Sequence, residues 1–293
     1  MRVLGVLRTC GLAAALTLAA ASAALADPAI WRVAGPHASV FIVGSTIDAP
    51  ADGRWKTPAL HDAAASAREV WFTTPFGLPG PFVLVRMAAT LATRGSFPNG
   101  QTLSSLLAPD DRARLARLAS RYHLDMGKLD RMQPWHAHVT LGLAVRKANG
   151  DSSGSPVERY ILSVAQGAPR KAMDTYDEDL KLLVATPQDE EVISLEDAMR
   201  HYDDPTFDRR YGEAWAAGDL GWIEREREQW LQKNTPVTYR TMQIQPRERW
   251  ADQVARLANG SKTVILVLDA ANTVGQNGLP AMLRRKGLRV DGP

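Results

Sequence analysis

The residues best placed for chemistry sit at two corners, one near each end of the chain. Gly44-Ser45-Thr46-Ile47-Asp48 follows the apolar run 39–43, and Asp269-Ala270-Ala271-Asn272 follows the aliphatic run 263–268. Each corner brings small and polar groups to the end of a strand, the edge where α/β sheets open into binding crevices. Ser45 could serve as a nucleophile at such an end, yet it lacks the Gly-x-Ser-x-Gly elbow and a positioned His-Asp partner, so a structural turn is the stronger reading. His136-Ala137-His138 has the composition of a ligand pair, but residues two apart on a helix face different ways, which favours ordinary packing. His37, His61, His123 and His201 stand alone in sequence, with no motif behind them. Gly275-Gln276-Asn277-Gly278 matches a phosphate loop only in its glycines.

The elements that must position these corners are legible around them. The run 263–268 is β-branched and aliphatic throughout, as suits a strand buried on both faces. Residues 278–286 read as a helix with Pro280 in the first turn and Gly287 as its stop, before a short return strand at 288–290. At the other end, residues 30–33 and 39–43 form a hairpin about the turn Gly35-Pro36-His37-Ala38. The expected fold is α/β, with α+β as its alternative: a central mixed sheet built from N- and C-terminal strands, flanked and capped by helices. The strands 40–43 and 264–268 are expected in one sheet with Gly44-Ser45 and Asp269–Asn272 at the same edge.

Taken with Pro134-Trp135 in the middle and the Trp250 block before the last long strand, these blocks resemble the TraB/GumN family, which includes the Tiki metalloproteases. The resemblance runs from Ala29 to Val290. It implies a Gly-x-x-His motif at each strand end, where two imidazoles share a divalent metal with a carboxylate. This chain departs from that pattern at each such place. Ile47 stands in the first histidine slot and Asn272 in the second; residues 70–74 hold no carboxylate after Glu69; and Pro246-Arg247 stands where an Arg-Asn pair is expected. Gly44, Ser45, Ile47, Asp269 and Asn272 are thus degenerate family positions. Met173-Asp174-Thr175 occupies the place of a family Leu-Glu-Thr, so Asp174 keeps a carboxylate there. Asp48, Asp174, Asp269, Asn272 and Arg247 remain as candidate binding groups. Asp48 lies one residue past Ile47, and strand alternation aims it away from the site unless the chain turns at Thr46.

Residues 1–26 have the three parts of a secretory leader: Arg2 and Arg8, an apolar stretch too short to span a bilayer comfortably, and Ala24-Leu25-Ala26 before Asp27. The single cysteine, Cys10, lies in that leader, so the processed chain has no disulfide or thiolate chemistry. Loss of Arg2 and Arg8 leaves 33 basic against 32 acidic side chains. Such a balance, without basic and aromatic interleaving, excludes a nucleic-acid stripe and a polybasic membrane patch. The rest is expected to be one domain over 27–293, with a helical cap from about 103 to 233. Within it, residues 82–92 read as an apolar helix returning to the core, 135–146 as a deeply buried helix, and 148–155 as an exposed polar loop. Residues 220–233 read as a charged helix with Trp222 and Trp230 packed on one side.

Three functions follow. The favoured one is a periplasmic or secreted pseudoenzyme that keeps the fold for binding an unknown protein or peptide, with no resident cofactor, no nucleic-acid partner and no integral membrane segment after leader cleavage. The alternative that the resemblance implies is a peptidase-like hydrolase in which Asp48, Asp174, Asp269 and Asn272 hold a hard divalent metal such as Mn or Mg. The third is a structural or assembly component without a pocket. Convergence of those four residues on one cleft would discriminate among them.

Overall fold

The structure, a computed structural model, describes residues 27–75, 79–98, 100–150, 154–204 and 206–293. The proposed leader and the middle of the 148–155 loop lie outside the described residues.

Six strands form one mixed sheet in the order β4-β3-β5-β2-β1-β6. They are β1 (Ile30–Ala34), β2 (Ser39–Ser45), β3 (Glu69–Phe72), β4 (Arg170–Ala172), β5 (Val264–Asp269) and β6 (Val290–Asp291). β1 and β2 make the expected antiparallel hairpin, and β6 pairs antiparallel with β1. β5 runs parallel to both β2 and β3, with Val40 opposite Val264 and Ser45 opposite Asp269. The two strand-end corners therefore share one edge, as the sequence predicts.

Strand alternation gives β5 two working faces. Ile265 and Val267 join Val43, Val70 and Phe72 in one core, packed on α1 (Pro58–Ser66). Val264, Leu266 and Leu268 join Trp31, Val40, Ile42 and Trp71 in a second core on the other face. A strand buried on both sides needs a continuous aliphatic run, which is what residues 264–268 supply.

Between β3 and β4 the chain forms α2 (Pro81–Arg94), α3 (Leu103–Leu106), α4 (Pro109–Arg121), α5 (Met126–Leu129), α6 (Pro134–Ala148) and α7 (Pro156–Val164). After β4 come α8 (Tyr176–Leu183), α9 (Gln188–Asp203), α10 (Phe207–Ala216) and α11 (Leu220–Ile223). A third core, made wholly by helices, joins Leu103, Leu115, Leu129, Leu141 and Leu195 from α3, α4, α5, α6 and α9.

Three expectations are corrected here. α2 does not return to the core: none of its residues is buried, and Phe82 is 81% exposed. α6 is only half buried, because Val139 and Leu143 face outward. The charged stretch 220–233 is not one continuous α-helix. It breaks into α11, a π turn at Glu224–Gln229 and α12 (Trp230–Asn234), and its Glu228 is buried. A π turn widens the helix by one residue and shifts which side chains face inward, so period 3.6 fails across it.

The chain then runs through α13 (Pro236–Tyr239), a second π turn at Arg240–Ile244, and α14 (Gln245–Ala258) to β5. A 3-10 turn at Ala270–Thr273 leads to α15 (Leu279–Arg285). Pro280 lies in the first turn of α15, and Gly287 takes φ 81° just past its end, a conformation that side chains with a Cβ resist. α14 and α15 supply Trp250, Val254, Leu279 and Leu283 to the second core.

Candidate functional site

The shared sheet edge opens into a cleft of about 630 Å³ beneath the helices. Thr46, Ile47 and Asp48 from the end of β2 and Asp269 from the end of β5 line it. The chain does turn at Thr46: its Oγ1 accepts the Asp48 N–H at 3.1 Å. That turn is the condition under which Asp48 is expected to reach the site, and it brings the carboxylate into the cleft. The close fit of this loop depends on Gly212 in α10, where a Cβ would stand 1.8 Å from the Asp48 carbonyl oxygen. Trp215, one helical turn on, donates from Nε1 to the Gly44 carbonyl at 2.8 Å and holds the end of β2.

Asp48 is a strongly perturbed carboxyl of the cleft. Burial, then the nearby Asp208 carboxylate, push its pKa up to about 7, with Asp269 adding to the rise and Thr46 and Arg227 opposing it. Asp208 itself is raised by burial and by Asp204. Asp269 is exposed to the cleft yet lies deep, ringed by protein on its other sides. That depth raises its pKa, while the Ala271 N–H at 2.9 Å and then the charges of Arg227 and Arg247 oppose the rise.

Two cations, Arg146 and Arg227, line the cleft with these acids, and Arg227 is the one that bears on the Asp48, Asp208 and Asp269 carboxyls. It lines the cleft from the π turn and reaches Asp197 Oδ2 at 3.9 Å, beyond hydrogen-bonding distance. His138 and His201 also line the cleft, where burial, then Arg227, lower both to about 4, so they are neutral imidazoles at pH 7. His201 stacks on Phe207 with ring centroids 3.7 Å apart. His136 points elsewhere, with Nδ1 at 2.9 Å from the Gly95 carbonyl, as residues two apart on a helix should. Tyr202, Tyr211 and Trp230 add aromatic wall, and the outward-facing Ile47, Val139 and Leu143 line it as apolar groups.

The other sequence candidates lie apart from the cleft lining. Asn272 is buried in the 3-10 turn, and its Oδ1 accepts from Arg247 Nε at 2.9 Å. Arg247 is fully buried; it pairs with both oxygens of Glu228 and also reaches Gln243 and the carbonyls of Ala271 and Asn277. Its charge is thereby spent on holding the corner after β5. Asp174 is buried behind β4, accepting from Trp250 Nε1 at 2.7 Å and from Arg249 at 3.1 Å. Ser45 lines a smaller groove of about 210 Å³ that shares Thr46, Ile47, Asp269 and Arg146 with the cleft, and no histidine lines that groove. Of the four proposed oxygen ligands, then, Asp48 and Asp269 share the cleft, while Asp174 and Asn272 are engaged elsewhere.

A two-imidazole metal site does not fit these residues. Ile47 has no lone pair, and the one good acceptor of Asn272 is taken by Arg247. Among the described residues, no three His, Cys, Asp or Glu side chains come together as a metal-binding group.

Sequence reasoning missed Asp197, His201, Asp208, Tyr211 and Arg227 as cleft residues. They come from α9, α10 and the π turn, and no spacing in the sequence links them to the strand ends. His138 was read as packing.

No curated protein and no solved structure matches the chain. A family profile described as the TraB/PrgY/gumN family matches residues 29–292. That span takes in the sheet, both strand-end corners and every helix around the cleft, and the chain belongs to the TraB/PrgY/gumN family.

Proposed function

We propose that this protein is a binding member of its family that has given up metal-dependent peptide hydrolysis, and that its cleft takes a peptide through a basic side chain or amino group. One observation carries the reading. The cleft gathers the carboxylates of Asp48 and Asp269 at the family's sheet edge and that of Asp208 from α10, while both histidine positions at that edge are occupied by residues that cannot supply an imidazole. An ammonium or guanidinium among these acids would exchange hydration for charge-assisted hydrogen bonds. The apolar Ile47, Val139 and Leu143 would cover the neighbouring side chains of such a peptide, and Arg227 would oppose one with an acidic group at the same place. The leader pattern of residues 1–26 supports action in the periplasm or outside the cell.

The test is calorimetric titration with a panel of basic and acidic peptides, beside a cleavage assay with and without Mn²⁺ or Mg²⁺. Basic peptides should bind, Asp48→Asn with Asp208→Asn should weaken them about tenfold, and no peptide should be cut. Chelator-sensitive cleavage would favour the second reading, a hydrolase with a hard divalent ion on substitute oxygens. Only the shared cleft position of Asp48 and Asp269 speaks for that reading.

A further inference from the structure

Beside the cleft, the groove of about 210 Å³ lies where the parallel strands β2, β5 and β3 end. The register sets Ser45 beside Asp269 and Phe72 beside Val267, so Thr73 and Thr74 follow at the level of Leu268 and Asp269. Ser45, Thr73 and Thr74 all line the groove, and none of their hydroxyls has a hydrogen-bond partner among the described residues. Ser45 is only 5% exposed, yet its hydroxyl is not sealed from solvent. Other polar groups of the lining are committed. Thr46 Oγ1 accepts the Asp48 N–H, and Ser155 and Glu158 close the N-terminus of α7 in a reciprocal cap. Thr46, Ile47, Arg146 and Asp269 line both the groove and the cleft, so the two spaces adjoin across these four residues. One ligand can reach into both.

We propose that cleft and groove form one track for an extended peptide, with a basic side chain among Asp48, Asp208 and Asp269 and the adjoining backbone on the hydroxyls of Ser45, Thr73 and Thr74. This rests on the cationic ligand proposed for the cleft, and adds what flanks the cation. A hydroxyl both donates and accepts, so it can meet peptide N–H and C=O groups alike without demanding a particular side chain. Unpartnered hydroxyls at a partly buried strand end gain from such amides, whereas a free amine would leave them to water. Size points the same way: at about 210 Å³ against about 630 Å³, the groove suits backbone and small side chains better than a second bulky group. Past the shared residues, the charged group of the lining is Glu158, whose Oε2 is taken by the Ser155 N–H at 3.0 Å. The track therefore selects a basic residue inside a chain, next to small neutral neighbours.

The test is calorimetric titration of the processed protein with N-acetyl-lysine amide and with an acetylated, amidated pentapeptide that carries lysine between two alanines on each side. The pentapeptide should bind about tenfold more tightly than the lysine amide. In the double variant Thr73→Val, Thr74→Val, which keeps the β-branched shape and should keep the parent's Tm, that ratio should fall to about threefold or less. Ser45→Ala should lower it as well. A ratio near one in the parent, or an undiminished ratio in the folded variants, would overturn the track and leave the cationic cleft standing. Failure of both ligands to bind would overturn the cationic cleft, and the track with it.

Discussion

Arg247 donates from Nε to the Asn272 amide oxygen at 2.9 Å, and so ties the family's second strand-end position to a guanidinium with no solvent exposure. Glu228 accepts from the same guanidinium, and Tyr239 donates to Glu228 Oε1 at 2.6 Å. The pair is satisfied on every side, which is the condition under which a buried ion pair is tolerated.

Removing one partner alone should therefore be costly. Arg247→Met or Glu228→Gln is expected to lower stability by about 3–5 kcal/mol, because the remaining charged group is left buried without its counterpart. Chemical denaturation of both single variants and of the double variant checks this; the double variant should lose less than the two single losses combined.

Replacing Ile47 and Asn272 by histidine should not rebuild a working metal centre. Asn272→His removes the oxygen that Arg247 Nε uses, and the corner should lose about 1–3 kcal/mol. Titration with Co²⁺ is expected to show at most weak binding, with no chelator-sensitive peptide cleavage. Tight stoichiometric Co²⁺ binding by the double histidine variant would contradict this.

Asp48 has a folded-state pKa of about 7 against an ordinary 3.8, so the folded protein holds its proton more firmly than the unfolded chain does. Its effect is thus to lower stability as pH rises from about 4 to 7. His138 and His201, lowered to about 4, act in the opposite direction over about 4 to 6.5. Asp48→Asn should leave the Tm nearly unchanged at pH 4 and raise it at pH 8, by about 1–2 kcal/mol of stability once cleft solvation is allowed for. Thermal melts across that range decide the matter, and a gain that does not grow with pH would count against this account.

Gly212→Ala tests the contact between α10 and the loop after β2. In an open helix this change would stabilise by about 1 kcal/mol. Here the new Cβ meets the Asp48 carbonyl, so a loss of about 1–3 kcal/mol is expected, together with weaker peptide binding as the loop is displaced.

What the sequence made legible was whatever local chemistry encodes. The aliphatic run of β5, the hairpin of β1 and β2, and the Pro280 and Gly287 signals of α15 depend on neighbours in the chain, and each lies where it was expected. The common edge of Ser45 and Asp269 was also legible, through the family resemblance. The cleft's Arg227 was not, because a π turn shifts it out of any helical period, and Asp208 and His201 reach the site only through packing of α9 and α10. α2 misled for a physical reason. An apolar helix reads as core from sequence, and nothing in its residues says which way it turns.

β5 is the single strand that joins the pair β4 and β3 to the pair β2 and β1, and it arrives near the end of the chain. During synthesis, β2 therefore lacks its parallel neighbour, and β3 lacks its second one beside β4, until residues 264–269 have left the ribosome. Pairing across so long a separation is slow and requires loop closure before any reward. The sheet is completed last and all at once, so a nascent or C-terminally truncated chain stays open, with its strand edges available to chaperones and proteases.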